Sequence, residues 1–217
     1  MEYKHIFFDL DGTLTDSGEG IMKSVHYALK KFGIEENERE RLRLFIGPPL
    51  IDSFMRYYKL SHEDAVKAVE YYREYFAPKG IYENRAYDGI PEMMSELRAA
   101  EKKLYLATSK PEPYAIEIVS HFGLFEYLDG LYGSTMTEER TKKDEVIAYA
   151  LDKTGLDKGE VVMIGDRNHD ILGAKANGVC SVGVLFGYGD REELESAGAD
   201  FIIETVNDLK KLLLGEN

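Results

Sequence analysis

Five short apolar runs constrain this chain most, because each is continuous rather than alternating: KHIFFDL (4–10), KKLYLATS (102–109), EVVMIGD (160–166), CSVGVLFG (180–187) and ADFIIE (199–204). A strand with one face in water alternates polar and apolar residues, whereas a strand covered on both faces does not. Helical patterns separate the last four runs. PEMMSELRAAEK opens on Pro91, a good first-turn residue, and PEPYAIEIVSHFG, KKDEVIAYALDKTG and HDILGAKANG end at Gly123, Gly155 and Gly178, which suit helix C-termini. Strand and helix in alternation predict an α/β fold: a parallel sheet with right-handed crossovers and helices on both faces. In such sheets ligands bind beyond the carboxyl ends of the strands.

Residues 16–85 break the alternation. They read as helices only: GEGIMKSVHYALKKFG, NERERLRLF, PLIDSFMRYYKL and HEDAVKAVEYYREYFAPKG, the last with Ala65, Val69, Tyr72 and Phe76 on one stripe. The expected organisation is a core of residues 1–15 and 86–217 with an all-helical insertion at 16–85. The GYGDREE stretch (187–193) lacks the third glycine of a dinucleotide fingerprint and reads as a loop entering a capped helix.

The 217 residues carry a formal net charge of −13. An acidic surface repels phosphate backbones and anionic membranes, and Arg39, Arg41 and Arg43 are interleaved with Glu38 and Glu40, so no nucleic acid and no membrane partner is expected. A single cysteine, Cys180, fits a reducing compartment. With no signal-peptide layout and no run near the roughly 20 apolar residues that span a bilayer, a cytoplasmic location is the expectation. Oligomeric state is left open.

Strand ends carry the unusual polar groups: Asp9 and Asp11 in DLDGT, Thr108, Ser109 and Lys110 after LYLA, and Asp166 and Asp170 in GDRNHD, with Lys142 and Lys143 opening a helix. Each alone has a plain explanation. Asp and Gly end strands in ordinary turns, Asp and Ser cap helices, and lysine pairs face solvent. A calcium loop counted from Asp9 fails, because its sixth and twelfth positions are Leu14 and Gly20 rather than Gly and Glu. Together, and in this order, the groups converge on one sheet edge. Carboxylates gathered there repel unless a cation joins them, and oxygen ligands suit Mg²⁺. A metal beside Asp9 would neutralise a bound phosphate, Asp9 could attack phosphorus to give an aspartyl-phosphate, and Asp11 could protonate the leaving oxygen and later deprotonate water. Thr108 and Lys143 would hydrogen-bond the phosphate oxygens.

These residues resemble the four motifs of the haloacid dehalogenase superfamily of phosphatases: DLDGTLTD, the Thr108 that ends the second strand, Lys143 (with Lys142 the weaker match), and GDRNHD. The resemblance covers essentially the whole chain. It implies a Rossmann-like core and a type-1 helical cap at 16–85 that closes over the site and selects substrate. It also implies Asp9 as nucleophile, Asp11 as general acid/base, and Mg²⁺ held by Asp9, the Asp11 carbonyl and Asp166, with Asp170 in support. Thr108, Ser109, Lys110 and Lys143 are the expected substrate-binding groups. Within the superfamily the chain looks most like phosphoglycolate-phosphatase-like proteins, on its helical cap, FIGPPL (45–50) and TSKP. The implied partner is a small phosphorylated metabolite. Two other readings stand beside it: a nucleoside 5′-monophosphate, with Phe45, Phe54, Tyr57 and Tyr58 facing a base, and a phosphomutase similar to β-phosphoglucomutase.

Overall fold

The computed structural model describes residues 3–137 and 139–216. Strand β1 (His5–Phe8) leads to a two-residue strand β2 (Thr15–Asp16), followed by helices α1 (Gly18–Lys31), α2 (Arg39–Arg43), α3 (Leu50–Tyr58) and α4 (His62–Phe76), and by a second two-residue strand, β3 (Arg85–Ala86). Then come α5 (Ile90–Ala99), β4 (Lys103–Pro111), α6 (Glu112–His121), β5 (Gly130–Ser134), α7 (Lys143–Thr154), β6 (Val161–Gly165), α8 (Asn168–Asn177), β7 (Cys180–Val184), α9 (Arg191–Ala197), β8 (Phe201–Ile203) and α10 (Val206–Leu214). The backbone divides into two compact units, Met1–Thr15 with Ala86–Asn217, and Asp16–Arg85.

The larger unit is built on a six-stranded sheet in the order β5-β4-β1-β6-β7-β8, every pair parallel. The expected α/β sheet is therefore present. β1 lies between β4 and β6, and Ile6, Phe7 and Phe8 are wholly buried, as a continuous apolar run requires. Each such side chain contributes about 2–3 kcal/mol of burial. Phe7 packs with Val146, Ile147, Met163 and Ala174 in one apolar cluster between sheet and helices. The register aligns Phe8 with Leu106 on β4 and with Ile164 on β6, so three strands reach the same edge together. The crossover helices end as expected on left-handed glycines, with φ of 65° at Gly155 and 69° at Gly178.

Four elements were not anticipated. β5 is a half-buried edge strand containing Gly130 and Gly133, so it lacks the apolar run that marks the central strands. β2 and β3 are too short to show any period; they pair with each other, and Thr15 of β2 also bridges to Asp11. α10, VNDLKKLLL, buries Leu209 and Leu213.

The smaller unit is helical apart from its terminal strand residues. Ala65, Val69, Tyr72 and Phe76 of α4 are all buried, on the stripe the sequence predicts. Phe45 and Phe54 are buried against each other at 4.8 Å, edge to face, and Tyr57 and Tyr58 pack on Phe45. Phe45 and Phe54 are thus core side chains of this unit, the more ordinary of the two readings of such aromatics, and not a face for a nucleobase. In FIGPPL, Pro49 immediately precedes α3 and acts as a helix boundary.

Candidate active site

The three aligned strands β4, β1 and β6 deliver the site. β1 ends at Phe8, and the Asp9 N–H still donates to Ile164 O at 2.9 Å, so Asp9 is held by the neighbouring strand. The chain then winds tightly: Leu10 O accepts from the N–H groups of Leu14 at 3.0 Å and Thr15 at 2.9 Å. Gly12 allows this turn, with φ of 86° and no room for a side chain, since a Cβ would lie 2.1 Å from Asp166 Oδ2.

Asp9, Asp11, Thr108, Lys110, Lys143, Asp166 and Asp170 are each 8% exposed or less. Buried charge is costly unless paired, so the pairing decides what the site can do. Lys143 opens α7, and its ammonium meets Asp9 Oδ1 at 2.6 Å, Asp170 Oδ1 at 2.9 Å and Ala107 O at 3.0 Å. Those three oxygens match the three protons of an ammonium. Burial pulls the Lys143 pKa down, but Asp170 and Asp9 outweigh it and raise it above the ordinary lysine value. Lys142, its neighbour, is exposed, which settles the choice between the two lysines. Lys110 pairs with the other acid of the first motif, Nζ to Asp11 Oδ2 at 2.9 Å, and its N–H donates to Thr108 Oγ1 at 3.3 Å. Ser109 is half-buried between them and takes no part in this network.

Asp9, Asp166 and Asp170 form one group: each offers an oxygen, and these oxygens lie within 4.8 Å of one another. The Asp11 carboxylate is outside that group. Burial, with Asp170 and Asp9 beside it, pushes the Asp166 carboxyl well above the usual range; the Tyr188 N–H at 2.7 Å from Oδ2 and Arg167 oppose this only in part. Burial likewise raises Asp170 to about 6, against the pull of Lys143. Formally, four carboxylates face two lysines here, leaving two negative charges for a divalent cation to match. Buried carboxylate oxygens are the donor set a hard divalent cation takes, so the residues fit such an ion.

Sequence reasoning missed two participants, both main-chain groups, while His169 is the neighbour of the acids that its place in GDRNHD suggests. Ala107 O and Tyr188 N–H are backbone groups, invisible in residue identity. His169 is largely buried, and its Nε2 has no hydrogen-bond partner among the described residues. Burial first, then Arg167 and Lys143, holds its pKa down at about 4, so it is a neutral neighbour of the acids.

The sequence model described as haloacid dehalogenase-like hydrolase matches residues 6–184. The chain is 47% identical over 196 residues to a 5′-nucleotidase of Pseudomonas aeruginosa, covering 90% of this chain and 89% of that one. It is 35% identical to the tyrosine-protein kinase PtkA of Mycobacterium tuberculosis, covering 96% of this chain and 72% of the kinase. The crystal structure of a predicted phosphatase from Clostridium acetobutylicum superposes with a TM-score of 0.97 at 44% identity, covering 99% of this chain and 100% of that one.

Proposed function

The chain belongs to the haloacid dehalogenase-like hydrolases, and within that family we propose that it is a Mg²⁺-dependent phosphatase of small phosphomonoesters working through an aspartyl-phosphate. One observation carries the reading: Asp9 is held 2.6 Å from Lys143 at the sheet edge where Asp166 and Asp170 also gather. A strand end held by strands on both sides presents a carboxylate as a nucleophile, and Lys143, 2.6 Å from Oδ1, holds it in place. Asp9, the Asp11 carbonyl and Asp166 would hold Mg²⁺, with Asp170 in support; the ion would neutralise phosphate charge.

Asp9 attacks phosphorus, and the ester oxygen leaves with a proton from Asp11. Asp11 then takes a proton from the water that hydrolyses the phosphoenzyme. Thr108 and Ser109 contact phosphate oxygens at the end of β4, and Lys143, its protons taken by Asp9, Asp170 and Ala107 O, lends its positive charge from the start of α7. The helical unit, residues 16–85, takes the substrate-selecting role that the resemblance to type-1 caps implies.

Two substrates are favoured by different observations. The 47% identity to a 5′-nucleotidase favours a nucleoside 5′-monophosphate. Buried Lys110, 2.9 Å from Asp11, favours phosphoglycolate, whose carboxylate would give that ammonium a second anion to meet. Phosphate release from both, with Mg²⁺ and with EDTA, separates them. We expect Mg²⁺-dependent release from one by at least about ten-fold over the other. Release from neither, together with isomerisation of a sugar phosphate without free phosphate, would replace hydrolysis by the phosphomutase reading.

A further inference from the structure

The loop between β7 and α9 was expected to do no more than enter a capped helix. It does that: Asp190 Oδ1 accepts from the Glu193 N–H at 2.8 Å. It also grips the acid-bearing loop between β6 and α8 at two points. At the first, the Tyr188 N–H donates to Asp166 Oδ2 at 2.7 Å, and glycines flank that donor. A Cβ at Gly187 would fall 2.4 Å from Asp166 Cβ, and one at Gly189 would fall 2.0 Å from Asp166 O. Both distances are shorter than real carbon contacts, so the two backbones touch only because neither residue has a side chain. At the second point, Glu193 Oε1 accepts from Arg167 Nε and from the Asn168 N–H, each at 2.9 Å. Asn168 begins α8, whose first turn carries Asp170.

We propose that residues 187–193 are a positioning clamp that sets the divalent-cation affinity of the site, through Tyr188 N–H on Asp166 and through Glu193 on the start of α8. The proposal rests on the metal reading above. Tyr188 N–H occupies one oxygen of Asp166, while among the described residues the other has only Thr13 Oγ1, at 3.5 Å, and is the oxygen this proposal gives to the ion. Glu193 fixes the helix start, so Asp170 keeps its distance from Lys143 and Asp9. None of these groups touches substrate; they act through the two aspartates. Such outer groups are worth about 10–100-fold in metal affinity.

The test is calorimetric titration of Mg²⁺ into the metal-free protein without substrate, with the fold followed by circular dichroism. Gly189→Ala and Glu193→Ala are each expected to weaken Mg²⁺ by about ten-fold or more. Glu193→Gln, which keeps an acceptor for the Asn168 N–H, is expected to recover most of that loss. If folded Gly189→Ala and Glu193→Ala bind Mg²⁺ as the unmodified protein does, the clamp is refuted and the phosphatase reading stands. Should Gly189→Ala fail to fold, the Glu193 pair decides: equal affinity for Ala and Gln overturns the proposal. No Mg²⁺ binding by the unmodified protein would overturn both readings together.

Discussion

The two edges of one sheet treat their carboxylates in opposite ways. At the amino edge, Asp129 accepts from the Leu104 N–H at 3.0 Å and Lys103 Nζ at 3.2 Å, and pairs with Arg98. Burial pushes its pKa up, but these partners outweigh burial and hold it below the ordinary value of 3.8. At the carboxyl edge, Asp166 and Asp170 are raised, because burial and like charge exceed what Tyr188 N–H and Lys143 return. One edge is built for stability. The other keeps charge under-compensated, which costs stability and gathers the oxygens that fit a divalent cation.

The sharpest break of this contrast is Asp9→Asn. It keeps the shape of the carboxyl edge but removes the nucleophile, and phosphate release should fall by about 10⁴-fold or more while thermal unfolding of the metal-free protein is not lowered. Retained turnover would refute the mechanism. Next in size is Lys143→Met, which strands Asp9 and Asp170 without their ammonium. Urea unfolding without metal should show a loss of about 3–5 kcal/mol, and an unchanged midpoint would mean the acids are compensated elsewhere.

Asp166→Asn should act in the reverse direction. A carboxyl whose folded pKa is raised binds more protons folded than unfolded, so metal-free stability falls as pH rises from 3.8 through the raised value. The variant lacks that penalty and should be more stable than the unmodified metal-free protein at pH 8, by about 1–3 kcal/mol. Mg²⁺ should stabilise the unmodified protein and leave the variant nearly unmoved. A variant less stable than its parent would show that Asp166 is compensated after all.

The smallest effect belongs to the amino edge. Asp129→Ala should cost about 1 kcal/mol at pH 7. Its folded pKa is depressed, so the stability it contributes is present above 3.8 and is lost as pH falls through the lower folded value. Parent and variant should therefore converge in acid. A pH-independent difference would mean that the packing of the side chain, not its charge, is what counts.

Much of this was legible beforehand. The continuous apolar runs marked β1, β4, β6 and β7, because a strand covered on both faces has no polar side to show, and they marked the edge strand β8 as well, where FII keeps the apolar run although it is only half-buried. β5 escaped, since an edge strand is half-exposed and tolerates the glycines that erase the signal. Of the four acids expected at the strand ends, Asp9, Asp166 and Asp170 gather, while the Asp11 carboxylate lies outside their group. The Asp11–Lys110 pair was not foreseen: two expected site residues turned out to hold each other. Phe45 and Phe54 meet although the Gly47-Pro48-Pro49 break separates them, and no pattern along the chain tells a packed aromatic face from an open one until the neighbouring helices are in place.

The sequence by itself determined the sheet, the helical stretch at 16–85 and the types of group at the strand ends, because burial period and strand termination are local properties of neighbouring residues. Only the tertiary structure decided which charges meet. Lys143 rather than Lys142 turns inward, Ala107 O takes its third proton, and Tyr188 N–H reaches Asp166 from a loop 22 residues away. Such choices rest on backbone groups that every residue carries and on contacts between distant segments, and neither is written in the identity of a side chain.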